Sequence, residues 1–106
     1  MIDLQIQHFF SGGTYAKRMI FPKGCIIPSH KHVFDHISIL AQGKAIVTVG
    51  EESNTYEAPT VIEIKKNEVH TVTALEECHW YCIHATEITN PKEIDETLIM
   101  EKQNAI

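Results

Sequence analysis

Short runs rich in β-branched and aromatic residues, each closed by turn residues, dominate the chain. Residues 15–21 (YAKRMIF) end at Pro22-Lys23-Gly24, which reads as a turn. Residues 25–27 form a short apolar run closed by Pro28, and 37–41 are turned by Gln42-Gly43. The run 45–49 (AIVTV) has the residue types of a strong strand. Residues 50–54 are polar and turn-like. Runs at 60–64, 71–74 and 79–84 complete the set. Short strands at spacings of roughly ten residues predict an all-β barrel or sandwich. The tail reads differently. Asn90-Pro91-Lys92-Glu93 has the order of an N-cap, a proline in the first helical turn and a glutamate at the third position. A short C-terminal helix with Ile94, Leu98 and Ile99 or Met100 as its apolar stripe is one reading; an extended arm on a partner subunit is the other.

Composition narrows the function. The 106 residues suit one domain. Fourteen acids against nine Lys and Arg give a net charge of −5, which argues against a nucleic-acid binder needing a basic patch. No apolar run approaches the roughly 18 residues needed to span a membrane, and 1–10 lacks the basic start of a signal peptide. Cys25, Cys78 and Cys82 are odd in number, so reduced thiols and a cytoplasmic setting are expected rather than a disulfide framework. Gly-rich phosphate loops and nucleophile elbows are absent, and Asp35 and Glu68 form no evident acid/base pair.

Histidine changes the picture. There are seven, and three of them fall between positions 30 and 36. On a strand, His30 and His32 project to the same face, and His36 keeps their parity. A helix would also bring His32 and His36 together, although Pro28 and the β-rich 37–40 favour the strand reading. Convergent imidazoles with no nearby counter-charge suit Zn, Cu, Fe or Ni. His70 follows a second strand and the Lys65-Lys66-Asn67 turn, and spacing alone does not place it beside the others. In 79–84, Trp80, Cys82 and His84 share one face, and His79, Tyr81 and Ile83 share the other.

These residues resemble the cupin family. Its first motif runs Gly, five residues, His-x-His, three or four residues, Glu, six residues, Gly. Gly24, His30, His32, His36 and Gly43 stand at those spacings, with His36 in the Glu place. In the second motif, Pro-x-Gly-x-x-His-x-x-x-Asn, the positions hold Lys65, Asn67, His70 and Ala74. Asn67 can replace the turn glycine because Asn tolerates the left-handed conformation; Lys65 and Ala74 depart from the pattern. The resemblance spans about residues 15–88 and leaves 89–106 as a C-terminal segment.

The resemblance implies an antiparallel jelly-roll barrel holding one divalent transition metal (Mn, Fe, Ni, Cu or Zn) on His30, His32, His36 and His70. Four neutral imidazoles leave a divalent site at roughly +2, where a carboxylate ligand would leave about +1, and so favour an anionic or chelating small-molecule substrate. Two open cis positions suit dioxygenase-type oxidoreductase chemistry; a metal-dependent isomerase or lyase and a non-catalytic ligand- or metal-sensing module are the alternatives. Trp80, Cys82, His84, Phe34 and Met19 are the expected pocket residues. A homodimer is expected, with the apolar strand positions Ala45, Val47 and Val49 as a pairing face. On this reading the purified protein carries about one equivalent of transition metal per chain. Elemental analysis after dialysis should show it released as pH falls through about 6.5, because a ligating imidazole must be neutral.

Overall fold

The computed structural model describes residues 3–28, 34–87, 89–90 and 92. Nine strands run in chain order as β1 (Gln7–Ser11), β2 (Thr14–Phe21), β3 (Ile26–Pro28), β4 (His36–Gln42), β5 (Lys44–Val49), β6 (Glu52–Glu57), β7 (Thr60–Ile64), β8 (His70–Ala74) and β9 (Cys78–Ala85). They pair antiparallel into a five-stranded sheet, β1-β2-β9-β4-β7, and a four-stranded sheet, β3-β8-β5-β6. The inner faces of both supply one core, in which Phe21, Leu40, Ala45, Cys78, Met19, Ala74 and Trp80 are all but sealed from solvent. Phe21 and Trp80 meet with ring centroids 5.8 Å apart. Each large apolar side chain sunk here contributes about 1.5–3 kcal/mol relative to an exposed one. The architecture is a jelly roll, as the strand pattern and the resemblance imply.

Two expectations change. The 50–54 segment is not all turn: only Gly50-Glu51 turn, and β6 begins at Glu52. Its side chains are mostly exposed because it lies at a sheet edge, so no apolar alternation marks it. Register against β5 and a Thr48–Ser53 hydroxyl bond of 2.8 Å hold it instead. The β1 strand is an edge strand too and equally quiet in the sequence. Ala45 and Val47, expected on a pairing face, are buried in the core. The apolar residues on the outside lie elsewhere: Ile37, Val61 and Phe9 of the five-stranded sheet are each about half exposed or more. At the C-terminal segment, Asn90 Oδ1 accepts from the Lys92 N–H at 2.8 Å, the bond an N-cap makes; Ile94, Leu98, Ile99 and Met100 lie outside the described residues.

The two motif glycines at the end opposite His36 do different work. Gly43 has φ +97°, and a Cβ there would strike the Glu77 carbonyl and come within 3.0 Å of Cys78 Cα. Gly24 has φ +87° with open space where its Cβ would be. Gly43→Ala therefore carries both a backbone and a packing penalty, and Gly24→Ala only the first. Urea unfolding should show G43A destabilised by about 2 kcal/mol or more and G24A by about 1 kcal/mol.

Candidate metal and ligand site

The strand order sends two crossovers between the sheets at one end. Residues 29–35 join Pro28 of β3 to His36 of β4, and residues 65–69 join Ile64 of β7 to His70 of β8. The crossovers are tied together, since the Lys66 backbone N–H donates to Asp35 Oδ1 at 2.8 Å. Asp35 thus holds a loop. Asn67 in the second crossover sits at φ +64°, the left-handed conformation for which Asn stands in for glycine.

His36 opens β4, one residue before the Ile37–Ile83 pair, and so lies level with His84 of β9. The two rings meet with centroids 4.2 Å apart. His70 opens β8 in the opposite sheet, paired with Val49. All three imidazoles are buried. Burial pushes the His70 pKa below its ordinary value against a smaller opposing pull from Glu68. His70 is thereby held neutral, the state a metal ligand requires. The Ser38 hydroxyl lies 3.4 Å from His36 Nε2 and steadies that ring. His30 and His32 lie outside the described residues. Among the described residues alone, no group of three or more His, Cys, Asp or Glu is arranged to hold a metal. The two described members of the His30, His32, His36 and His70 set fit a transition metal in chemistry: buried nitrogen donors with no acidic side chain among the buried polar residues.

Below the His36–His84 level, register sets one row across the inner face of the five-stranded sheet. It comprises Ile62, Ser38, Cys82, Lys17 and His8. One row further in, Leu40, Trp80 and Met19 close the interior with apolar surface. Trp80, Cys82 and His84 thus share the inner face of β9, and Met19 and Trp80 belong to the core. Phe34, by contrast, is 54% exposed and stands outside that interior. The Cys82 residue is partly exposed, yet its thiol is sunk; burial drives its pKa up, opposed by Ser38, Lys17 and Trp80. Cys78 is also raised by burial, and its thiol donates to the Lys44 and Glu76 carbonyls at 3.3 Å each.

Tyr15, Lys17 and Ser38 join this neighbourhood without having been singled out in the sequence. Tyr15 is buried, stacks on His84 at 6.2 Å between centroids and places its hydroxyl 2.7 Å from His8 Nδ1. Strand alternation in 15–21 puts Tyr15, Lys17, Met19 and Phe21 on one face; what the alternation lacks is the register that sets them beside β9. His79 turns outward and bonds Glu77 and Arg18. Glu68 is exposed.

A family model described as the cupin domain matches residues 17–84. The chain belongs to the cupin family. Among solved structures it is similar to a cupin-2 domain protein from Shewanella frigidimarina, with TM-score 0.66 and 16% identity over 80% of this chain and 83% of that one. KdgF from a Halomonas species aligns with TM-score 0.68 and 15% identity over 83% and 81% of the two chains. Salicylate 1,2-dioxygenase from Pseudoaminobacter salicylatoxidans aligns with TM-score 0.64 and 11% identity over 79% of this chain and 22% of that one. Likeness at these identities establishes the fold alone. No curated protein sequence matches the chain. No helix among the described residues is long and apolar enough to cross a membrane.

The buried thiols give a pH prediction. A thiol kept neutral by the fold ionises first in the unfolded chain, so its contribution to stability is intact below the ordinary thiol pKa and lost as pH rises through the raised one. At pH 8 the folded protein should alkylate Cys78 and Cys82 far more slowly than the urea-unfolded chain, as read by peptide mapping.

Proposed function

We propose that this cupin binds one divalent transition metal through His30, His32, His36 and His70 and acts on a small molecule at that end of the barrel, by chemistry of the dioxygenase or oxidoreductase type. One observation carries the reading: His36 and His70, distant in sequence and on opposite sheets, are both buried at the end where the two crossovers run. When bound, the metal would supply Lewis acidity and, as Fe, Mn or Cu, a route to dioxygen chemistry.

The protein's own residues would do the rest. Burial keeps His70 neutral and ready to donate its lone pair. Ser38 and the His84 ring hold His36 from two sides, so ligand orientation is set before anything binds. Leu40, Trp80 and Met19 floor the site with apolar surface, excluding water from below and strengthening every polar contact above. The salicylate 1,2-dioxygenase likeness is consistent with oxidative chemistry on this fold.

The test is metal loading followed by a turnover screen. Metal-free protein is titrated separately with Fe(II), Mn(II), Ni(II), Cu(II) and Zn(II), and dioxygen uptake is followed with a panel of small hydroxy and oxo acids. Stoichiometric binding is expected, and His36→Ala and His70→Ala should each weaken it by about tenfold or more with unchanged circular dichroism. Absence of binding by the parent protein would overturn the metal reading. Binding without dioxygen uptake would overturn the oxidative one.

A further inference from the structure

The two sheets present different outer faces. On the four-stranded sheet, Thr48, Ser53, Thr55, Thr71 and Thr73 point outward round Ile46, as suits a sheet with one face in water. The outward positions of the five-stranded sheet are apolar instead. Register sets Ile83 beside Ile37 and Tyr81 beside Ile39, a block of four on β9 and β4, and carries the second row on to Val61 of β7. Phe9 of β1 extends the first row through Ala16. Phe9, Ile37 and Val61 are 49%, 48% and 62% exposed, and Ile39, Tyr81 and Ile83 are half-buried. A continuous apolar face in water is unfavourable, and such faces mark contact surfaces.

Its size and charges fit a second copy of the same chain. Five strands spaced about 4.8 Å apart make a face of roughly 24 by 20 Å, on the order of 500 Å² in plan. A specific interface takes about 600–1,000 Å² of accessible surface from each partner, and side-chain relief raises the accessible area of this face above its plan area. The flanks carry charges of opposite sign. Arg18 on β2 adjoins Tyr81, and Glu63 on β7 adjoins Ile37. Among the described residues Arg18 bonds Gln7 Oε1 at 3.0 Å and His79 Nδ1 at 3.4 Å, and no carboxylate. Glu63 meets Lys65 at 3.1 Å in an exposed pair, which is easily rearranged.

We propose that two copies of this chain pair through the outer faces of their five-stranded sheets. The contact is isologous, with Ile37, Ile39, Tyr81 and Ile83 at its centre. A two-fold axis in the plane of contact, through that centre and oblique to the strands, sets Arg18 of each copy against Glu63 of the other. Ile37 lies between His36 and Ser38, and Ile83 between Cys82 and His84, so the interface backs directly onto the candidate site. The pairing does not depend on what that site binds.

Sedimentation of the full chain from about 1 to 100 μM, the range in which a micromolar Kd is read, should show a dimer. Ile39→Arg puts a charge at the centre and should weaken pairing by about thirtyfold or more. Val61→Lys, on the edge strand, serves if I39R folds poorly by circular dichroism. Thr73→Arg, on the outer face of the other sheet, should leave the dimer unchanged. Arg18→Glu and Glu63→Arg should each weaken it roughly tenfold, and the double charge swap should recover most of the loss. A monomer throughout that range would overturn the proposal. So would a dimer that I39R and V61K leave intact, or one that T73R disrupts as strongly. A monomer whose Ile37 and Val61 methyl groups are shielded from a soluble paramagnetic probe would assign the face to the chain's own C-terminal segment, and would equally overturn it.

Discussion

Everything at the candidate site depends on the register of β9 between β2 and β4. Eight residues of β9 pair with β2 along its full length, and five pair with β4. Side chains alternate faces with period two, so a slip of one residue on β9 would turn Trp80, Cys82 and His84 outward and bring His79, Tyr81 and Ile83 in. The cost of exposing Trp80 and burying the polar groups of His79 and Tyr81 pins the register. That same pairing stacks His84 on His36 and Tyr15 on His84, and sets Cys82 between Ser38 and Lys17.

The interior is graded along the barrel axis. At one end Leu40, Trp80, Met19 and Phe21 make an apolar floor; at the other, imidazoles, a hydroxyl and a thiol face inward. Such a polar end is unfavourable for stability, because each group loses water that its neighbours only partly replace. Folds retain arrangements of this kind where a ligand completes them.

Much of the frame was legible in the sequence. Gly24 and Gly43 stand where the chain takes positive φ, and Asn67 takes the left-handed turn that its side chain tolerates. The alternation of 79–84 matches the inner face of β9, because a half-buried strand writes its burial into every second residue. The edge strand β6 was silent for the converse reason: with nearly all of its side chains in solvent it shows no alternation. Ala45 and Val47 read as an apolar face, but an apolar face in a barrel is equally suited to the core and to a partner, and here it is the core.

Histidine spacing by itself determined that His30, His32 and His36 share a parity, and strand composition determined an all-β chain. Both are local properties, set by a period of two and by the preference of β-branched side chains for the pleated sheet. Only the tertiary structure decided that His70 lies at the same end as His36, that His84 stacks on His36, and that Lys17 sits beside Cys82 on the inner face. Those placements depend on which strands pair and in what register. Long-range burial settles that choice, as each strand turns its apolar residues toward a core that no single stretch of the sequence contains.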